Sequence, residues 1–249
     1  MYHELEIAGK ALCQNEPGYV RYVLPAATFE AQMRFLGEIG WRGVSVGSAR
    51  EAPAPRTVAV TFDDGCQTDL LLAAPLLRAL GYGATFYVTA GFIGRPGYMS
   101  ASQVRELQSL GFEIGCHSMT HAYLSDLDEP SMEHEIVEAK SRLEQILGTP
   151  VAHFSCPGGR HDSRVAAKVK SAGYQTMATS RPRRNSQSTD AFSLGRVAVL
   201  RNMDIRSFAK LCRGEALWKL SVRDGLRHTV RSVFGNAAYD HIRAALLRH

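Results

Sequence analysis

Thr57-Val58-Ala59-Val60-Thr61-Phe62-Asp63-Asp64-Gly65 is the stretch on which the fold turns. Its first half alternates β-branched and small residues, the pattern of a buried strand. Its end presents two adjacent carboxylates, and then a glycine that lets the backbone turn away. Neighbouring side chains on a strand point to opposite faces. Asp63 and Asp64 therefore read as two separate jobs, one carboxylate on a metal and one free to act as a base. The plainer alternative is a solvated turn, because Asp-Gly is a common turn dipeptide.

A second stretch weighs against the plain alternative. Phe112-Glu113-Ile114-Gly115-Cys116-His117-Ser118-Met119-Thr120-His121 is a short apolar strand that ends in two histidines. Three residues lie between them, a spacing that suits two imidazoles on one metal if the segment makes a helical turn. With the Asp pair after another strand, a site of two histidines and one carboxylate becomes plausible.

Together these residues resemble the polysaccharide deacetylase family, the NodB-homology domains of carbohydrate esterases. Thr61 to Gly65 match its first motif, T-F-D-D-G, and His117 to His121 match its second, H-S-x-T-H. The resemblance runs from about Tyr2 to about Asp204. It implies that Asp63 is the catalytic base and that Asp64, His117 and His121 hold a divalent metal. Zn²⁺ is the expected ion, although the ligand set also suits Co²⁺, Ni²⁺ or Fe²⁺.

The 249 residues suit one α/β barrel domain with a large core, and the 45% hydrophobic content is ordinary. No run approaches the length of a membrane span. Met1-Tyr2-His3-Glu4-Leu5-Glu6 has neither the basic start nor the apolar core of a signal peptide, so the expected location is the cytoplasm. Five cysteines, at 13, 66, 116, 156 and 212, contain no C-x-x-C pair, so neither a disulfide framework nor a zinc knuckle is indicated. Cys66, Cys116 and Cys156 lie beside the site motifs and could be soft ligands, but small buried cysteines are common packing residues. The net charge of +5 favours an anionic partner. With no nucleic-acid motif, a phosphate group or acidic membrane is the expected target, not nucleic acid.

In chain order, apolar periodicity and capping residues predict helices near 29–39, 68–80, 101–110, 132–147 and 163–172. Between them lie strands near 44–46, 57–62, 84–90, 112–116, 151–156, 174–179 and 196–200. Ser100 and Gln103 form a capping-box pattern, and Ser131 is the expected cap of the helix at 132. Strands alternating with helices imply a parallel sheet with right-handed crossovers, with the motifs at the strands' C-terminal ends. The expected fold is α/β, a distorted (β/α)7 barrel of NodB type over residues 1–204. An amphipathic helical extension follows over 205–249. In it Val222, Leu226, Val230 and Phe234 recur with Arg223, Arg227 and Arg231 between them. It reads as helices packed on the barrel or on a second subunit, as in a homodimer, or as a contact of 221–249 with anionic membrane.

The third family motif, R-x-P-[YF]-G, is only half kept. Ser155-Cys156-Pro157-Gly158-Gly159 precedes Arg160, so serine stands where the family's arginine orients the catalytic aspartate. Arg160 is the expected substitute, or else a surface residue. Gly158 in place of the aromatic implies the loss of one groove wall. A backbone N–H near Cys156 is the expected oxyanion donor, with Cys156, Pro157, Gly158 and Arg160 as the substrate-side set. The fourth motif has no counterpart, and Arg196-Val197-Ala198-Val199-Leu200 lacks the L-x-H histidine that should supply the general acid. This resembles the poly-N-acetylglucosamine and exopolysaccharide deacetylase side of the family. His3, His153 and His161 are left as candidate proton donors.

The leading expectation is a metal-dependent N-deacetylase acting on an N-acetylated sugar or glycan precursor in cell-surface polysaccharide synthesis. The alternatives are a metal amidohydrolase acting on a non-sugar small molecule and a degenerate barrel that binds glycan without cleaving it.

Overall fold

The structure, a computed structural model, describes residues 1–215, 217–222 and 225. Among the described residues nine short strands run in parallel: β1 (Leu5–Glu6), β2 (Leu24–Pro25), β3 (Arg42–Val44), β4 (Thr57–Ala59), β5 (Thr61–Phe62), β6 (Thr85–Val88), β7 (Glu113–Cys116), β8 (His153–Ser155) and β9 (Thr176–Ala178). β5 to β9 form one sheet in sequence order; β1 pairs with β2 and β3 with β4. The run read as one strand over 57–62 changes partner at Val60. Its N–H donates to Val44 and its carbonyl accepts from Thr85.

The sheet closes into a barrel through segments too short or irregular to be strands. Tyr2 bridges Phe62 on one side, and Met1 is hydrogen-bonded to Val197 and Val199 on the other. Leu194 bridges Ala178 at the far edge. Residues 1–2, β5, β6, β7, β8, β9 and the 194–199 segment therefore follow one another around a distorted (β/α)7 ring.

Period-two alternation sorts the strand side chains. Phe62, Phe86, Val88, Ile114, Phe154 and Met177 face the main core. There they meet helices Ala26–Glu38, Ala101–Ser109, Ala139–Leu147 and Ser163–Ser171 through Phe29, Met33, Val104, Leu107, Leu143 and Val165. The intervening residues Thr85, Tyr87, Glu113, His153, Ser155, Thr176 and Ala178 face the other way. Gly115 makes room among them, since a Cβ there would stand 2.4 Å from the Tyr87 ring.

The capping box at Ser100 and Gln103 is present. The helix expected at 132 starts a turn earlier, at Glu129, because Asp128 accepts from the Ser131 N–H and caps it. Val46, expected to end a strand, and residues 47–51, expected as part of a connection, form a helix capped by Ser45. Helix Ile205–Cys212 buries Phe208 in the main core. Most of the amphipathic pattern after 221 lies outside the described residues; Val222, within them, is exposed. Among the described residues no helix is long and apolar enough to cross a membrane.

Phe62 joins the core to the site-bearing strand. Its ring lies 5.3 Å from Tyr2, 5.5 Å from Phe29 and 4.8 Å from Phe86. Phe62→Ala is expected to lower unfolding free energy by about 3–5 kcal/mol, measured by denaturant titration.

Candidate active site

The two sequence motifs meet at the C-terminal mouth of the barrel. Asp64 Oδ1 lies 3.6 Å from His117 Nε2 and 3.5 Å from His121 Nε2. These three ligand atoms all stand within 4.8 Å of one another. Asp64 Oδ1 is buried and has no hydrogen-bond partner. A buried carboxylate oxygen without a donor is costly unless a cation faces it. His117 Nδ1 lies 2.8 Å from the Ser155 carbonyl oxygen. A carbonyl only accepts, so Nδ1 carries the hydrogen and Nε2 keeps its lone pair toward Asp64. Burial pushes the His117 pKa down to about 4, with Asp63 opposing and His121 adding to the shift. The ring is thus a neutral imidazole at pH 7, the form a metal ligates. The donor set fits a divalent metal.

The histidine spacing is achieved without the helical turn expected from sequence. Ser118 and His121 adopt left-handed backbone, both at φ 66°, as does Asp64 at φ 81°. Such conformations are costly for non-glycine residues and are held by their surroundings. Ser118 Oγ accepts from the His121 N–H at 3.0 Å. The buried Glu135 carboxylate accepts from the N–H groups of Met119 and Thr120, at 3.0 and 2.9 Å. Glu135 was indistinguishable in sequence from the surface acids of its helix.

Asp63 is gripped by Arg196. Nη1 donates to Oδ1 at 2.7 Å and Nη2 to Oδ2 at 2.9 Å, a bidentate fork. Nη2 also donates to Ser155 Oγ at 2.6 Å, Nε to the Thr179 carbonyl at 3.1 Å and Nη1 to Thr61 Oγ1 at 3.2 Å. Burial alone would raise the Asp63 pKa; Arg196, then His117, outweigh it and hold the carboxyl well below the usual range. Arg196, read from sequence only as the start of a histidine-free strand, therefore occupies the post assigned to Arg160. The serine at 155 is its complement, a small side chain that leaves room for a guanidinium arriving from the closing 194–199 segment.

Arg160 lies elsewhere. It pairs with Asp126 at 3.3 Å, and its guanidinium carbon sits 3.7 Å above the Tyr123 ring. Tyr123 also covers Gly158, where a Cβ would stand 2.7 Å from Cε1, so an aromatic ring returns beside the missing one. The expected oxyanion donor, a backbone N–H near Cys156, narrows to one amide. Cys156 N–H donates to the Ala178 carbonyl, Gly159 N–H to Cys156 and Arg160 N–H to Pro157. Pro157 has no N–H, which leaves Gly158 as the amide of this turn without a backbone acceptor. Burial pushes the thiols of Cys116 and Cys156 up to about 12, so both behave as neutral packing groups.

His153 is held between Glu113, 3.3 Å away, and Thr176 Oγ1, 2.9 Å away; His161 Nδ1 lies 3.0 Å from the Gly159 carbonyl. His3 differs. Tyr2 pairs with Phe62, so His3 falls opposite Asp63, and its Nδ1 is buried without a partner.

The family model described as polysaccharide deacetylase matches residues 50–177. The chain belongs to the polysaccharide deacetylase family. The enzyme class is that of hydrolases of N-acetyl amide bonds. The chain is 33% identical over 123 residues to a peptidoglycan-N-acetylglucosamine deacetylase of Bacillus cereus, covering 49% of this chain and 55% of that protein. It therefore spans about half the length of that relative. A crystal structure of a polysaccharide deacetylase from Bacillus cereus superposes with a TM-score of 0.73 at 25% identity, over 85% of this chain and 67% of the other. The fold is shared as well with a Streptococcus pyogenes deacetylase, at a TM-score of 0.73 and 20% identity, over 85% and 95% of the two chains. The matched span holds Asp63, Asp64, His117 and His121, and stops short of Arg196.

Arg196→Met should raise the Asp63 pKa. An ionised base whose pKa is held low is lost only as pH falls through that lowered value; without the cation the loss begins at higher pH. The acidic limb of the kcat/KM–pH profile is expected to move upward, with reduced activity at neutral pH. Arg196→Lys should recover part of it, keeping the charge without the fork.

Proposed function

We propose that this protein is a metal-dependent deacetylase that hydrolyses the N-acetyl amide of a glucosamine-containing polysaccharide or its precursor in cell-surface polysaccharide synthesis. The observation that carries the reading is the pairing of an orphaned Asp64–His117–His121 donor set with a carboxylate, Asp63, kept ionised by Arg196. A barrel that only bound glycan would have no use for that second, charged carboxylate.

Asp64, His117 and His121 would hold the ion. When bound, a divalent ion of the Zn²⁺ type supplies Lewis acidity toward the acetyl carbonyl and toward water. Asp63 accepts the proton of the attacking water. Its orientation comes from the Arg196 fork, which fixes both oxygens and leaves Oδ2 facing His117 Nε2 at 3.8 Å. The Gly158 N–H is offered to the oxygen on which negative charge develops. The departing amine needs a proton, and His3, opposite Asp63 on the neighbouring stave, is the donor assigned here. Burial holds the His3 pKa below its ordinary value, with Asp64 and Asp63 opposing that shift and Arg196 adding to it, so the ring must gain its proton during turnover to donate it.

Asp63→Asn keeps shape and removes the base. Acetate release from N-acetylglucosamine oligomers should fall by about 10²–10⁴ while bound metal, by elemental analysis, persists. Wild-type turnover in that variant would reassign the base. Metal-replete wild-type protein that releases no acetate from any N-acetylated sugar or oligomer would favour the glycan-binding alternative.

His3→Gln tests the acid. Amide substrates should lose kcat strongly, while an activated aryl acetate, whose leaving group needs no proton, should be nearly unaffected. Equal losses on both would remove His3 from that role.

A further inference from the structure

A second donor cluster lies beside the Asp pair, built from residues that the deacetylase chemistry does not use. Cys66 follows Asp63-Asp64-Gly65 and is fully buried. Its Sγ stands 3.4 Å from Cys13 Sγ, and Cys13 Sγ, Cys66 Sγ and a Glu4 carboxylate oxygen all lie within 4.8 Å of one another. The Cys13 loop is tied down over this point. Its N–H donates to the Glu4 carboxylate at 3.0 Å, and its thiol donates to the Gly97 carbonyl at 3.2 Å. A Cβ at Gly97 would stand 2.9 Å from Cys13 Sγ, so only glycine leaves room for this approach. Tyr19 closes the cluster, its hydroxyl 3.0 Å from Glu4 Oε2 and 3.4 Å from Cys66 Sγ.

A separate observation points to a cation. Asp69 is fully buried, and neither carboxylate oxygen has a hydrogen-bond partner. It sits three residues after Cys66 on the same turn, its N–H bonded to the Cys66 carbonyl, so the two side chains share a face. Among the described residues no lysine or arginine forms an ion pair with Glu4 or Asp69. Two thiols and a carboxylate thus gather with a second, buried carboxylate close by in sequence, and the cation acting on Glu4 is the exposed Lys10, which bonds Gln67 instead of ion-pairing.

We propose that Glu4, Cys13 and Cys66 form a second metal site, distinct from Asp64–His117–His121, that takes a thiophilic divalent ion such as Zn²⁺. Burial, then the neighbouring Asp64, push the Asp69 carboxyl well above the usual carboxylate range, and a bound ion would favour its ionised form. Two sulfurs bound tetrahedrally at about 2.3 Å to one zinc stand about 3.8 Å apart, whereas a disulfide bond is about 2.05 Å. The 3.4 Å separation is nearer the first. Thiolate and carboxylate together suit zinc, and thiolates disfavour magnesium or calcium. The ion would pin the 7–16 loop to the strand end that carries Asp63 and Asp64.

The test uses the full chain, reduced and loaded with Co²⁺ as an optical stand-in. Thiolate ligation adds a sulfur-to-cobalt charge-transfer band in the near ultraviolet, which a site of histidines and carboxylate lacks. The wild type is expected to show that band and to bind two equivalents by elemental analysis. His117→Ala/His121→Ala should keep the band and one equivalent. Cys13→Ser/Cys66→Ser should lose the band and keep one equivalent. Absence of the band in the wild type overturns the proposal without reliance on any variant. So does its survival in the double cysteine variant, or a Cys13–Cys66 disulfide whose reduced form takes up no second ion.

Discussion

The fork between Arg196 and Asp63 is the interaction on which the site's arrangement depends. It is buried, bidentate and shared with Ser155, Thr61 and the Thr179 carbonyl, so it ties four staves of the barrel at one point. A buried ion pair is a poor source of net stability, because desolvation offsets most of the attraction. It does fix geometry, and here the fixed object is a carboxylate that must stay ionised inside a protein. With the arginine at the third-motif position replaced by Ser155, the same physical requirement is met from the 194–199 segment, where the barrel closes. The requirement is a cation within hydrogen-bond reach of Asp63; which strand supplies it is open to variation.

Strain is concentrated at the same place. Asp64, Ser118 and His121 are three of the four non-glycine residues with positive φ among the described residues, and two of them are the proposed ligands. Glu135 and Ser118 Oγ hold the histidine turn in a backbone state that its own residues disfavour. This is the usual position of stored strain, at a site where surrounding hydrogen bonds over-determine the conformation. It also explains why His117 and His121 reach one point without a helix between them.

Below the mouth, the barrel interior is polar and mostly hydrogen-bonded, although the Tyr87 hydroxyl is buried without a partner. Glu113 accepts from the Gly47 N–H, Ser45 Oγ and Thr85 Oγ1 and faces His153, which meets Thr176. Burial would raise the Glu113 pKa; His153, Thr85 and Gly47 outweigh it and leave it lowered. Tyr87 fills the space left by Gly115 and lies under the Arg196 guanidinium, 5.2 Å from ring centroid to guanidinium carbon. The site thus rests on a packed floor.

The sequence by itself determined the parallel α/β class, the capping box at Ser100, the identity of Asp63, Asp64, His117 and His121 as one constellation, and the absence of the usual arginine and histidine. Those signals are local: a hydrophobic period, a cap spacing, two short motifs at strand ends. It left the replacement of the arginine undecided, and favoured neighbours in sequence such as Arg160. Only the tertiary structure decided for Arg196, 133 residues from Asp63 along the chain, because barrel closure brings the last stave beside the first. The same closure set His3 opposite Asp63, put Tyr123 over Gly158, committed the Cys156 amide to β9, and joined Cys13 to Cys66. Each is a contact between segments far apart in sequence. Periodicity and spacing record which face a side chain takes on its own element, and carry nothing about which distant element that face will meet.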